Sequence, residues 1–260
     1  MARLAIDCAR GAGVSIIASV QLSPAFGEFA ILPENQVSWQ ANSSKRGGSI
    51  GVKYQLAIFD FDGTLADSFP WAISVVNEYA ARYKFKRVEL ADHDELRNYD
   101  ARKLMKHLGV RMWRVPGMAR DVRKRMAREI DQIPLFPGVD EMLRSLTNAG
   151  MMLSVVSSNS EANVRAVLGP HNTPLFAIFN CGASVFGKPR KLKAVIKKCR
   201  VTPGSTILIG DEIRDAHAAR KVGMAFGAVA WGYTNPEALL AVNPDEYFAS
   251  MEEIAAKLVG

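Results

Sequence analysis

A change of hydrophobic period that recurs along the chain limits its fold more than any other feature. Short, uninterrupted apolar runs at Gln55–Phe59, Met152–Val156, Ala177–Asn180, Thr206–Ile209 and Ala225–Ala230 alternate with stretches of helical period. An apolar run with no polar alternation suits a strand buried on both faces, and such strands separated by helices build a parallel sheet wrapped on both sides. The expectation is an α/β, doubly wound parallel sheet. The segment after Gly138 illustrates the helical part: Val139, Met142, Leu143 and Leu146 share one face, and Gly150 is placed to stop the helix.

About 90 residues separate the first two runs, far more than one crossover helix needs. This stretch repeats the helical period three times, in Ala72, Val75, Val76, Tyr79 and Tyr83, then Leu96, Tyr99, Leu104 and Leu108, then Met118, Val122, Met126, Ile130 and Ile133. Three amphipathic helices predict a small helical subdomain over residues 68–136, folded over the strand ends, with 52–67 and 137–260 forming the core. Residues 1–51 have no clear period and close on Asn42-Ser43-Ser44-Lys45-Arg46-Gly47-Gly48-Ser49, which resembles a linker. They read as a disordered leader or as an extension from a start site set too far upstream.

Composition narrows the function classes. A 48% hydrophobic content suits a chain with a real core, but no apolar run approaches the roughly 20 residues of a membrane-spanning helix. Cys8, Cys181 and Cys199 have no paired spacing and His93, His107, His171 and His217 no ligand spacing, so neither a disulfide framework nor a zinc site is expected, and a reducing cytoplasm is the default. Of the net charge of +7, most sits between residues 67 and 137, where 15 Lys and Arg face 10 Asp and Glu. No nucleic-acid motif accompanies that charge, which serves equally to attract anionic metabolites.

Ligands of open α/β sheets sit at the carboxyl ends of the strands. The first run delivers Asp60 and Asp62 there, the second Ser157, and the fourth Asp211 and Asp215, while Lys188 opens the segment before the fourth. Carboxylates at i and i+2 of an extended segment point to one side, so one can attack while the other transfers a proton, and Gly63 lets the chain turn directly afterwards. A phosphate dianion would repel an attacking carboxylate by about 8 kcal/mol at ~4 Å with an effective dielectric constant near 20, so counter-charge is required. A Mg²⁺ ion on Asp60 and Asp211, with Lys188 beside it, would supply that charge.

Asp60-Phe61-Asp62-Gly63-Thr64-Leu65, Ser157, Lys188 and Gly210-Asp211 through Asp215 resemble, in order, the four motifs of the haloacid dehalogenase-like hydrolase superfamily. The resemblance spans residues 52–260 and implies a Rossmann-like core with an α-helical cap inserted after the first core strand. It implies Asp60 as nucleophile and Asp62 as the acid that protonates the leaving oxygen and then activates water. Ser157 and Lys188 would hold the phosphoryl group, and Asp60, Asp211, Asp215 and the backbone carbonyl of Asp62 would hold Mg²⁺. Phe136-Pro137-Gly138-Val139 points to the phosphoglycolate phosphatase-like subgroup, hence to a small phosphorylated metabolite. Two positions depart from the common pattern: Lys-Pro-x-Pro reads Lys188-Pro189-Arg190-Lys191, and Glu212 stands where Ser or Thr is frequent.

Arg97, Arg102 and Lys103, read as part of a single middle cap helix, are the cations nominated to meet a substrate carboxylate or second phosphate. The same chemistry would serve a phosphomutase. A phosphonatase would need a Schiff-base lysine, for which Lys84, Lys86, Lys103 and Lys106 are candidates. A binding protein on the same fold is expected to have lost a charged motif position, and this chain keeps them all.

Overall fold

The computed structural model of the protein describes residues 52–182 and 187–259; the leader or extension expected at 1–51 lies outside the described residues. Six strands form one sheet: β1 (Leu56–Phe59), β2 (Met152–Val156), β3 (Phe176–Asn180), β4 (Thr206–Gly210), β5 (Ala225–Val229) and β6 (Glu246–Phe248). Their order is β3-β2-β1-β4-β5-β6 and every pairing is parallel. The chain runs outward from β1 to one edge, then returns to β4 and runs outward to the other. The order therefore reverses beside β1, the kind of position where α/β sheets open a crevice.

The central apolar runs become strands because their residues find covered faces, whereas β3, at the edge, buries only Phe176. Leu56 and Ile58 point into one core with Leu208, Phe226 and Ala228, whereas Ala57 and Phe59 point into the other with Leu153, Val155, Ile207 and Ile209. Burial of each large aliphatic side chain contributes roughly 1.5–3 kcal/mol relative to exposure. The second core is covered by α5 (Val139–Asn148) and α10 (Met251–Val259), which pack on each other. The first is covered by α7 (Lys188–Cys199), α8 (Ile213–Val222) and α9 (Pro236–Leu240). Val139, Met142, Leu143 and Leu146 are the buried residues of α5, the face read from its period. The remaining core helix, α6 (Glu161–Asn172), is interrupted at Gly169. Strand β6 was not anticipated: three residues are too few to display a period.

Between β1 and α5 the described chain is helical: α1 (Phe69–Tyr83), α2 (His93–Leu96), α3 (Ala101–His107) and α4 (Val115–Arg128), with short 3₁₀ turns. The middle stretch is not the single helix read from Leu96, Tyr99, Leu104 and Leu108. It breaks after Leu96 because the Asp100 side chain accepts from the backbone N–H groups of Arg102 and Lys103, both at 2.8 Å, capping a new helix. Val88, Leu96 and Leu108 form a small core of their own, whereas Trp71, Val75, Tyr79 and Met126 on α1 and α4 join the main core. The Trp71 indole donates to Glu129 at 2.7 Å and Tyr83 donates to Asp121 at 2.6 Å, tying the start of α1 to the end of α4 and its end to the middle of α4.

Candidate active site

Asp60 leaves β1 at the reversal point, its N–H donating to Ile209 O of β4 at 2.9 Å. That bond sets Asp60 beside the end of β4, from which Asp211 emerges. The chain then folds back tightly, with Gly63 N–H donating to Ala66 O at 2.9 Å and Gly63 at φ +78°. A side chain there would collide with the Asp211 carboxylate and the Tyr233 ring, so close approach and backbone both demand glycine.

Asp60 is 3% exposed. One oxygen accepts the Phe61 N–H at 2.8 Å and the other meets Lys188 Nζ at 2.7 Å. Burial works against ionisation of Asp60, but Lys188, Arg214 and the Phe61 amide prevail and hold it below the ordinary carboxylate range. Lys188 Nζ also meets Asp215 Oδ1 at 2.6 Å; buried between two carboxylates, it stays cationic.

Asp211 is fully buried and accepts Thr64 Oγ1–H and the Tyr233 N–H, each at 2.8 Å. Burial, then repulsion from Glu212, Asp60 and Asp215, pushes its carboxyl well above its usual range. Asp215 is likewise pushed up to about 7, by burial opposed by Lys188, and its Oδ2 has no hydrogen-bond partner among the described residues. One oxygen from each of Asp60, Asp211 and Asp215 lies within 4.8 Å of the others. Three buried carboxyl groups whose oxygens converge, two of them held back from ionising by burial and neighbouring carboxylates and one with an orphaned oxygen, fit a hard divalent cation with oxygen ligands.

Asp62 is partly exposed, and burial around it and the charge of Asp60 raise its carboxyl to about 6, against the hydrogen bonds of Ser68 and Asn159. Asn159 Nδ2 lies 3.3 and 3.2 Å from the two Asp62 oxygens and 2.9 Å from Met126 Sδ on α4. Ser157 leaves β2 one strand from Asp60, 2% exposed, and its hydroxyl accepts the Asn159 N–H at 3.0 Å. Lys191 Nζ fixes this turn from below by donating to Ser157 O at 2.6 Å and Gly182 O at 2.7 Å.

The nominated cations are placed differently from one another. Arg102 and Lys103 are exposed on α3, with Lys103 Nζ 3.8 Å from the Tyr99 ring centroid. Arg97, at the end of α2, reaches the loop after β5, donating to Gly232 O at 2.9 Å and Tyr233 O at 3.1 Å. Beside it a cavity of about 270 Å³ is mostly apolar, lined by Phe69, Ile73, Val76, Leu96 and Leu104. On the opposite side of the crevice Arg123 of α4 is half-buried, 3.4 Å from Ser158 O, and has no acidic partner among the described residues.

A family model described as haloacid dehalogenase-like hydrolase matches residues 57–229, the span from β1 to β5 that carries every motif residue of this crevice. The chain belongs to that family. It is similar to phosphoglycolate phosphatase of Synechococcus elongatus, 32% identical over 192 residues that cover 74% of this chain and 91% of that one. It is also similar to phosphoglycolate phosphatase of Agrobacterium fabrum, 29% identical over 73% of this chain and 86% of the relative. A crystal structure from Lactobacillus plantarum, proposed to be a phosphoglycolate phosphatase, superposes with a TM-score of 0.68 at 25% identity, covering 78% of this chain and 99% of that one. CbbY from Rhodobacter sphaeroides in complex with phosphate shares the fold at a TM-score of 0.62 and 20% identity, over 79% of this chain and 99% of that one.

Within this haloacid dehalogenase-like hydrolase three contributors were not singled out from sequence. Asn159, which tethers Asp62, stands in the polar turn right after β2, a position that could have been read as a strand-end site. Tyr233 and Gly232 follow β5 in the same way, but nothing local signals that the Tyr233 amide would turn back to Asp211.

Proposed function

We propose that the protein is a Mg²⁺-dependent phosphatase that hydrolyses a small organic phosphomonoester through an aspartyl-phosphate on Asp60, in the cytoplasm, with phosphoglycolate as the leading substrate candidate. The observation that carries the reading is the pairing of two unlike carboxyls at the end of β1, Asp60 clamped in its ionised form by Lys188 and Asp62 raised to about 6. One is equipped to attack and the other to exchange a proton near neutral pH.

In the first half-reaction an Asp60 oxygen bonds to phosphorus as the bond to the leaving oxygen breaks, and Asp62 donates a proton to that oxygen. In the second, Asp62 takes a proton from water as the water attacks phosphorus, and the Asp60 carboxylate departs, releasing inorganic phosphate. Ser157 and Lys188 bind the phosphoryl oxygens throughout, and Asn159 keeps Asp62 aimed. Asp60, Asp211, Asp215 and the Asp62 carbonyl would hold Mg²⁺, which when bound offsets charge on the phosphoryl group. The helical insertion is read as a cap that limits water around the Asp60 ester.

The direct test is phosphate release from phosphoglycolate, sugar phosphates, nucleotides and a generic aryl phosphate, with Mg²⁺ and with EDTA. Metal-dependent release is expected; phosphoryl transfer back to substrate without release would make the protein a mutase. Metal binding has its own readout. Mg²⁺ at roughly 100 times its Kd adds about 2.7 kcal/mol of stability, which for a domain of this size is a Tm rise on the order of 5–10 °C. Asp211→Asn is expected to remove most of that rise, and an undiminished rise would place the ion elsewhere.

Arg123, rather than the three cations nominated from sequence, is the group suited to a substrate carboxylate. It is half-buried beside the Ser157–Asn159 turn, where it donates to Ser158 O, and has no acidic partner among the described residues, while Arg97 is committed to the core loop. Loss of a charged hydrogen bond costs about 1.5–3 kcal/mol, so Arg123→Ala should raise KM for phosphoglycolate by roughly 10–100-fold. KM for an uncharged-tail aryl phosphate should hardly move, and equal effects on both would remove Arg123 from this role.

A further inference from the structure

Arg97 and Asp211 grip opposite ends of one peptide unit. The carbonyl of that unit, Gly232 O, accepts from Arg97 Nη2 at 2.9 Å, and its amide, Tyr233 N–H, donates to Asp211 Oδ2 at 2.8 Å. Arg97 Nε takes the next carbonyl as well, Tyr233 O, at 3.1 Å. A trans peptide points its C=O and N–H in opposite directions, so the guanidinium and the carboxylate hold the same plane from its two sides and fix its rotation. A cation on the carbonyl also polarises the amide, strengthening the bond to the carboxylate.

The surroundings leave Asp211 little other support on that side. Gly232 lies so close to Asp211 that even a methyl group would overlap the aspartate side chain. The Tyr233 ring stands edge-on to Phe69, centroids 5.1 Å apart, and its hydroxyl lies 3.0 Å from Ser68 Oγ. Arg97 stacks over the same Phe69 ring at 5.4 Å. A second set of bonds joins the two segments without touching the Gly232–Tyr233 peptide: Asn235 N–H donates to Arg97 O at 3.1 Å, and Asn235 Nδ2 to Asp94 O at 2.9 Å and Asn98 Oδ1 at 3.0 Å.

We infer that Arg97 is a positioning residue for the cation site, through which docking of α2 on the core sets the orientation of Asp211. The inference rests on the metal-dependent reading above and assigns Arg97 a task distinct from substrate binding. If the insertion lifts away, the peptide loses its outer anchor, Asp211 keeps Thr64 but loses the fixed donor on Oδ2, and cation affinity falls. The substrate's phosphoryl contacts, Ser157 after β2 and Lys188 at the start of α7, lie on other elements and are unaffected, so the effect separates from KM.

The test is Mn²⁺ binding to the full chain without substrate, read from the free-ion electron paramagnetic resonance signal. Arg97→Ala should weaken Mn²⁺ about 10-fold, the scale of one charge-assisted hydrogen bond, because of its two bonds only that to Gly232 O lies on the peptide that donates to Asp211, with kcat at limiting metal falling in step and recovering at high metal. Arg97→Lys, which keeps the charge but not the fork, should recover part of the affinity. Asn235→Ala, which removes the side-chain bonds to Asp94 O and Asn98 Oδ1 but leaves both Arg97 bonds in place, and Lys124→Ala, which removes an exposed charge from α4, should stay within about twofold of the wild type. If Arg97→Ala fails to fold, Arg97→Lys against Asn235→Ala decides. Wild-type affinity in a folded Arg97 variant, or equal weakening by Asn235→Ala, overturns the inference. Absence of Mn²⁺ binding by the wild type overturns instead the metal-dependent reading on which it rests.

Discussion

Exchange of Asp60 for Asn is expected to lower kcat/KM by about 10⁴-fold or more, the order of loss that follows removal of an enzymatic nucleophile. The substitution conserves shape, and Lys188 keeps Asp215 as a partner, so the fold should survive. What disappears is the only group at the end of β1 that combines an ionised oxygen with a position at the reversal point of the sheet. Substrate mixed with wild-type protein and quenched in acid should leave hydroxylamine-sensitive phosphate on the chain, and Asp60→Asn should leave none. Retention of more than a few per cent of activity by the variant would mean that water attacks directly and that Asp60 serves only as a ligand.

The second large effect depends on the leaving group. Asp62→Asn should lose roughly 10²–10⁴-fold in kcat/KM on an alkyl phosphate such as phosphoglycolate, the usual contribution of a positioned acid. A dinitrophenyl phosphate departs without needing a proton, so its first half-reaction should lose far less. The second half-reaction still lacks its base. The variant should therefore release dinitrophenolate in a burst stoichiometric with the protein and then stall. Equal losses on both substrates, with no burst, would show that Asp62 acts on structure or metal rather than on the proton.

How much of this was visible in the sequence follows the range of the forces involved. β1, β2, β4 and β5 were legible because central strands are covered on both faces and so need no polar alternation; Ile207, Leu208 and Ile209 are all fully buried, whereas β3 at the edge was legible from its apolar residues despite its partial exposure. Asp60, Asp62, Ser157, Asp211 and Asp215 were legible as residues that follow strand ends, and Lys188 as the start of the segment before β4, because topology brings such ends together whatever the loops do. The break between α2 and α3 was hidden because Asp100 and the helical period of Leu104 and Leu108 make competing demands, and the side-chain cap won. Arg97 was legible as a cation of the insertion but not as a clamp, since its partners lie 135 and 136 residues away and are backbone carbonyls, which any residue type could supply. Asn159 escaped notice for a similar reason: its value lies in the company of Met126 and Asp62, from two other segments.

The place of β1 in the sheet has a bearing on how the protein is made. β1 is central in space but first in synthesis: its neighbours β2 and β4 begin at Met152 and Thr206, while β1 ends at Phe59. At translation rates of roughly 5–20 residues per second, an uncovered apolar strand waits several seconds for its first sheet partner. What emerges in the interval is the helical insertion, whose Trp71, Val75 and Met126 end in the same core as Phe59 and Phe61. Among the described residues, the helical insertion is thus the earliest surface on which the nascent strand can hide.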